Sequence, residues 1–339
     1  MYPVKSLHIE LTDKCQAACP MCARNSNGGP DRPFVGNNEI TFEQFKQWFP
    51  VEFLSRLTNF FASGNYGDPA FANDCFEIFQ YVRSCNTTVG MAMHTNGSLR
   101  TTQWWADLAK AIGANSEVIF AVDGFKGKHE LYRRNTDFDK VIDNIKAFVA
   151  AGGRAKVNSL VFAHNEHDTN DLEKFLLGIG VATVEFKSTT RFYSMPKSPV
   201  VDKHGQHVYD LYPAQLPQYK QVVAVPLERF LDTSFRTKVA KEAVIEPKCE
   251  ASGELYIDAK GNAFPCSYIG SDYVEQPVEE TSVLSKLRNI SAVNTQELVN
   301  AQNLNTTTIY SILNTDFSHL WTGKTKCLTC VNICSNSVR

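Results

Sequence analysis

LHIELTDKCQAACPMC (residues 7–22) is the stretch from which the rest of the chain is read. LHIELT alternates apolar and polar residues as a strand does, and DKCQAACPMC follows it as a loop. The loop spaces Cys15, Cys19 and Cys22 as C-x3-C-x2-C. An iron–sulfur cluster normally takes four cysteines. Three on one short loop bind three irons of a cubane and leave the fourth open to another ligand. A zinc site of three cysteines with His8 or His94 is the alternative, although zinc more often uses paired C-x2-C or His elements.

Outward from this loop, strand and helix alternate through residue 190. Strand-like runs fall at 57–62, 89–94, 117–123, 156–162 and 182–187. TFEQFKQWF opens with a capping box between Thr41 and Gln44. DFDKVIDNIKAFVAAGG sets Phe138, Val141, Ile142, Ile145, Phe148 and Val149 on one helical face and stops at Gly152–Gly153. FANDCFEIFQYVRSC reads as an amphipathic helix that buries Cys75 and Cys85 as small apolar residues. Such alternation predicts an α/β fold with a parallel sheet, a partial (β/α)6 TIM-type barrel, since six βα units are too few for a closed eight-stranded one. Polar residues recur along the strands, among them Glu10, Asp123, Glu185 and Lys187, so one sheet face is expected to line a polar cavity. Edge strands with solvated faces are the alternative. The Gly/Asn/Pro-rich loop 23–40 is long enough to be functional and is expected to cover part of the site.

Residues 191–245 read as a connector broken by Pro196, Pro199, Pro213 and Pro217, and 246–339 as a smaller C-terminal domain. SGELYIDAKGNAFPC is a hairpin turning at Asp258–Gly261. Residues 271–305 are polar and poorly periodic; TIYSILNTDFSHLW after them is helical. Five of the ten cysteines lie in this last third: Cys249, Cys266, Cys327, Cys330 and Cys334. Closely spaced cysteines in so large a chain suggest metal sites rather than disulfides. The 34 basic and 36 acidic residues are mixed along the chain, which gives no support to a nucleic-acid groove. No apolar run is long enough for a membrane span and no signal peptide is visible, so a cytoplasmic protein is expected.

The triad on the loop after strand one of a βα array resembles the radical S-adenosylmethionine (SAM) superfamily. In that family the open iron chelates the amino and carboxylate groups of SAM, and reductive cleavage yields a 5′-deoxyadenosyl radical. The resemblance assigns cofactor contacts in chain order. Met21 stands where an aromatic residue often precedes the last cysteine. SGNYGDP (63–69) matches the Gly-rich segment and contributes Gly64, Asn65, Gly67 and Asp68, the last in place of the usual Glu. MHTNGS (93–98) contributes Thr95 and Asn96 near the ribose. FAVDG (120–124) contributes Asp123, with Ala121 where Ser is common. HELYRRNTDFDKV contributes Arg133 or Arg134 to the cofactor carboxylate, and FAHNEHD (162–168) contributes Asn165.

The C-terminal cysteines resemble the SPASM extension or its short form, twitch: Cys249, then G-x4-C ending at Cys266, then Cys327-x2-Cys330. Five cysteines rather than seven imply one auxiliary [4Fe–4S] cluster, held by Cys249, Cys266, Cys327 and Cys330, with Cys334 as a substitute ligand or free thiol. Two [4Fe–4S] clusters and SAM are then the cofactors. A zinc ribbon is the alternative.

The resemblance implies hydrogen abstraction from a peptide or small-molecule substrate, for oxidation or cross-linking, with a low-potential donor such as flavodoxin or ferredoxin. The chain begins fourteen residues before Cys15, leaving no leader-binding domain. It ends NSVR rather than Gly-Gly, which argues against a nucleotide cyclase. A non-catalytic metal-binding module on a degenerate barrel is the alternative from another class. An RNA-modifying radical enzyme lacks support from the charge balance.

Overall fold

A computed structural model describes residues 4–189, 191–192, 195–220, 232, 234, 238, 242–274, 295–296, 298–299, 302–322 and 326–334. The chain divides into two compact units, Ile9–Gln221 and a second made of Met1–His8 with Val222–Arg339. Most of 271–305, much of 221–241 and the closing NSVR lie outside the described residues.

β1 (Ser6–Ile9) is the first strand, and in the larger unit helices and strands then alternate as expected: α1 (Phe42–Trp48), α2 (Val51–Leu54), β2 (Asn59–Ala62), α3 (Cys75–Cys85), β3 (Gly90–Thr95), α4 (Thr102–Ile112), β4 (Glu117–Ala121), α5 (His129–Tyr132), α6 (Phe138–Ala150), β5 (Arg154–Val161), α7 (Thr169–Gly178) and β6 (Thr183–Ser188). Strands β2 to β6 pair in parallel and in sequence order. The fold is α/β with a mostly parallel sheet.

Local chemistry explains the boundaries. Thr41 and Gln44 form the reciprocal capping box, with N–H···O distances of 3.0 and 3.2 Å. Helix α6 buries Phe138, Val141, Ile142, Ile145 and Phe148 and ends before Gly152, whose φ is +90°. Trp105, Phe120 and Phe148 pack edge and face between helices and sheet, which anchors that side of the core. Cys75 is fully buried, while Cys85 at the helix end is half-buried.

Strand β1 ends earlier than the apolar alternation suggests. Glu10 turns away from strand duty and accepts the Tyr66 and Gly67 N–H groups at 2.8 and 2.9 Å. Thr12 forms only an isolated bridge, to Glu39.

Register decides which side chains share a face. Ala121 pairs with Asn158, Asn158 with Glu185, and Leu160 with Lys187; in-register neighbours of a parallel sheet point the same way. Ala155, Val157, Ser159 and Val161 face the other way and are buried. The inner face is thus the polar one, as the strand sequences imply.

After β6, β7 (Ser198–Val201) and β8 (His207–Leu211) form an antiparallel hairpin inside this unit. Tyr209 donates its hydroxyl to the Leu131 carbonyl at 2.7 Å.

In the smaller unit α8 (Lys248–Ser252) leads into β9 (Glu254–Ile257), which pairs antiparallel with β10 (Asn262–Phe264). The turn between them is Asp258–Gly261, where Asp258 accepts from the Lys260 and Asn262 N–H groups at 2.9 and 2.8 Å. Then follow α9 (Ser267–Val274), β11 (Gln302–Asn303) against β10, α10 (Ile309–Leu313), α11 (His319–Thr322) and α12 (Leu328–Cys334).

Candidate active site

A cavity of about 400 Å³ opens at the C-terminal ends of the parallel strands. Cys15, Cys19 and Cys22 line it, together with Gly64, Asn65, Gly67, Asp68, Thr95, Asn96 and Arg133. Ten of the fourteen residues expected in this site therefore meet around one space.

The Gly-rich segment is fixed from below. Glu10 takes its two N–H groups, and the Asp68 N–H donates to the Lys14 carbonyl at 3.0 Å. A Cβ at Gly67 would collide with the Thr12 carbonyl, so only glycine lets this segment lie against the Cys loop. Arg24, buried, donates to the Tyr66 carbonyl at 3.4 Å and to Asp31 at 2.6 Å, and its shortest contact is with the Asp13 carbonyl. One guanidinium thereby ties both segments together.

Asp68 is buried and fully engaged. It accepts from Ala70 N–H (3.0 Å), Thr95 Oγ1 (2.9 Å), Asn96 N–H (2.7 Å) and Asn96 Nδ2 (2.5 Å). Burial raises its carboxyl pKa and these donors pull it back. Asn96 Nδ2 also lies 3.7 Å from Cys15 Sγ, and Asn96 Oδ1 accepts from Gln16 at 2.8 Å.

Arg133 is held by Asp123, whose Oδ2 accepts from Nε at 2.5 Å, and its Nη1 lies 3.9 Å from Cys19 Sγ. Asp123 is fully buried and its second oxygen accepts from Leu160 N–H at 2.6 Å. His129 Nδ1 accepts from the Asp123 N–H at 3.2 Å, which leaves Nε2 to donate to Thr136 Oγ1 at 3.1 Å. Thr136 Oγ1 in turn donates a hydrogen bond to the Arg133 carbonyl at 2.5 Å. Burial, with Arg133 adding to it, lowers the His129 pKa to about 3, so this ring stays neutral.

Four expected contacts lie elsewhere. Asp123 acts on Arg133 rather than lining the cavity. Arg134 turns away and donates to the carbonyls of Gly28 (3.0 Å) and Val201. Asn165 donates to the carbonyls of Asp123 (3.0 Å) and Leu160 (2.9 Å), which builds the turn after β5. Met21 packs in the core beneath the loop with Tyr132 and Phe162, and its carbonyl accepts from Arg191 at 2.9 Å. Loop 23–40 also departs from its expected place: it runs behind the Cys loop, reaching Arg134 through Gly28 and the hairpin through Asn27, and contributes no side chain to the described cavity lining. Of the two histidines weighed as zinc ligands, His94 lines the cavity against Phe61, and His8 pairs with Glu254 and packs edge-on to Tyr256.

Several lining residues have no signature in the sequence. Tyr132 is buried with its ring against Arg133, and burial pushes its hydroxyl up to about 12. Asn158, Leu160, Lys187 and Arg191 also line the cavity. Only the polar alternation of the strands hinted at them.

Burial raises the Cys15 pKa and pushes Cys19 up to about 11. Such thiols ionise on binding metal. In the smaller unit, Cys249, Cys327 and Cys330 are buried with Tyr256, Phe264, Ile269 and Leu320, and Cys266 packs against them. Cys330 lies against Cys327 and feels the charges of Cys266 and Cys249; all of these raise its pKa, and burial adds to them. Cys334 is half-buried, its carbonyl accepting from Glu246 N–H at 3.1 Å. Among the described residues, no three His, Cys, Asp or Glu side chains form a group suited to a single metal ion.

A parallel α/β sheet with three cysteines and a glycine-tight segment at its C-terminal edge defines a class, and the sequence comparison agrees. Residues 9–176 match the sequence model of the Radical SAM superfamily. It is 22% identical over 278 residues to the GTP 3′,8-cyclase of Aquifex aeolicus (strain VF5), covering 78% of this chain and 82% of that one. Its fold is similar to that of Streptococcus suis SuiB bound to S-adenosylmethionine, with a TM-score of 0.54 and 12% identity over 94% of this chain and 68% of SuiB. It is equally similar to anSMEcpe with bound AdoMet, with a TM-score of 0.54 and 15% identity over 94% and 80% of the two chains. That match points to a [4Fe–4S] cluster and SAM. The donor set fits them: one buried and two half-buried thiols on one loop, and a backbone segment kept bare by glycine beside them. No helix among the described residues is long and apolar enough to cross a membrane.

Proposed function

We propose that this chain is a radical SAM enzyme that abstracts hydrogen from a peptide or small-molecule substrate, with a second [4Fe–4S] cluster in its C-terminal unit. The observation that carries the reading is the meeting of Cys15, Cys19, Cys22 and the Gly64–Asp68 segment around one cavity. The cluster and SAM, when bound, supply a 5′-deoxyadenosyl radical after one-electron reduction. Cys15, Cys19 and Cys22 are the cluster's ligands. Gly64, Asn65, Gly67 and Asp68 offer backbone and side-chain acceptors to the cofactor's amino group, with Thr95 and Asn96 beside them. Arg133 faces the cofactor carboxylate, and Asp123 acts through Arg133 as a positioning residue. Leu160, Ile119 and Tyr132 restrict water around the reacting centre.

For the second cluster, Cys249, Cys266, Cys327 and Cys330 are the ligands, leaving Cys334 free. Four ligands saturate a cubane, so electron transfer to or from the substrate is its role rather than substrate binding. A low-potential donor such as flavodoxin or ferredoxin supplies the starting electron. SuiB and anSMEcpe, which share the fold, are known in complex with peptides, SuiA and Cp18Cys. A nucleotide substrate is the second reading, favoured by the likeness to a GTP 3′,8-cyclase over most of both chains.

The test uses anaerobically reconstituted protein. About eight irons per chain, as two cubanes require, with 5′-deoxyadenosine formed from SAM and dithionite and lost in Cys19→Ala, supports the proposal. Zinc in place of iron, or loaded iron without cleavage, overturns it.

A further inference from the structure

Besides the cysteines and the groups that frame them, the cavity lining carries two cations from the last parallel strand and the turn after it. Four lining residues bear a full charge: Asp68, Arg133, Lys187 and Arg191. Asp68 accepts from Thr95, Asn96 and Ala70, and Arg133 donates through Nε to Asp123; both are assigned above to the cofactor. Lys187 sits at the end of β6, and Arg191 follows three residues beyond the strand. Both stand at the C-terminal edge of the sheet, where barrel-like folds gather their functional groups.

The inner face behind them is arranged in charged layers. Glu117 holds Lys156 at 2.8 Å and Arg154 at 3.6 Å near the N-terminal ends of the strands. Glu185, one alternate position before Lys187 and in register with Asn158, pairs with Lys187 at 2.9 Å. Glu185 is 59% exposed and lies outside the cavity lining, so this pair is weak and easily exchanged. Arg191 donates to the Met21 carbonyl of the Cys loop at 2.9 Å. Asn158 and Leu160 add one amide and one apolar surface to the lining.

We infer that Lys187 and Arg191 form an oxyanion subsite that receives a phosphate or carboxylate of the substrate and holds its remainder in the cavity that the cysteines line. An ammonium and a planar guanidinium lining one cavity suit such a group, which gains charge-assisted hydrogen bonds there. This deepens the proposed function, on which it rests, by giving the substrate an anionic end.

The experiment titrates reconstituted holoenzyme, with SAM present and reductant absent, by calorimetry with inorganic pyrophosphate and separately with succinate. At least one binds, and the one preferred separates a phosphate-bearing from a carboxylate-bearing substrate. Lys187→Gln and Arg191→Gln each weaken binding by about tenfold. Glu185→Gln removes the competing carboxylate and tightens binding by about twofold. Lys197→Gln, exposed and paired with Asp210 away from the lining, leaves affinity unchanged. Binding of neither anion, or equal weakening by Lys197→Gln, overturns the subsite. Deoxyadenosine formation by wild type is assayed in parallel. Cleavage without anion binding removes only the subsite, and anion binding without cleavage removes only the proposed reaction.

Discussion

The two groups of cysteines in this molecule are framed by different means. Cys15, Cys19 and Cys22 edge an open cavity, and to an apolar cluster with Tyr132, Phe162 and Phe192 their frame adds a polar network: Glu10, Arg24, Asp68, Asp123 and His129 are all buried and hydrogen-bonded. Cys249, Cys266, Cys327 and Cys330 sit instead among Tyr256, Phe264, Ile269 and Leu320. A polar frame fixes directions, because each hydrogen bond has a preferred angle, and so suits a site that must orient a second molecule. An apolar frame fixes volume and excludes water, which suits a group whose coordination is already complete.

The largest effect expected from this contrast is in Cys327→Ser. It loses about half the iron of a two-cubane protein and retains deoxyadenosine formation, because the open site lies in the other unit. Iron analysis alongside the cleavage assay checks this; loss of cleavage with the first cluster still loaded breaks the contrast. Next comes Asp123→Ala. It leaves the Arg133 guanidinium buried without its carboxylate and costs about 3–5 kcal/mol of stability. Urea denaturation measures it, and a change below about 1 kcal/mol would mean that the frame does not depend on that pair. The smallest effect is in pH dependence. The folded His129 pKa is about 3 against an ordinary value of 6.5, so between them the unfolded chain binds the extra proton. Stability from this group is complete above pH 6.5 and is lost as pH falls toward 3, by up to about 1.4 kcal/mol per pH unit. His129→Gln therefore flattens the wild-type decline between pH 7.5 and 5.5, as seen in denaturation midpoints; parallel curves would remove His129 from the frame.

Legibility follows the same division. The Cys loop, the Gly-rich segment, the capping box and the hairpin at Asp258–Gly261 were readable because each is local: spacing or turn chemistry within a few residues specifies it. Glu10 was not, since its partners are 56 and 57 residues away, and an acid in a strand looks like any solvated position. Arg133 and Arg134 were indistinguishable as neighbours. Only the turn after α5 sends one to Asp123 and the other to Gly28 and Val201. Asn165 carried the right residue type for a ligand contact, yet its amide is spent on the backbone of its own turn. Loop 23–40 had the length of a cover, but length says nothing of direction, and Arg24 and Asn27 draw it behind the cysteines. Lys187 and Arg191 have no motif at all; they emerge only when register places β6 beside β5.

The hairpin of β7 and β8 bears on how this protein can be taken apart. The βα array ends by sequence near residue 190, and a modular exchange with a relative would be cut there. Val201, beyond that point, donates its N–H to Asn27 and accepts from Arg134, and Arg191 grips the Met21 carbonyl. A chimera joined at 190 would sever those fastenings from the very loop that carries the triad. The seam for recombination lies past the hairpin, toward Gln221.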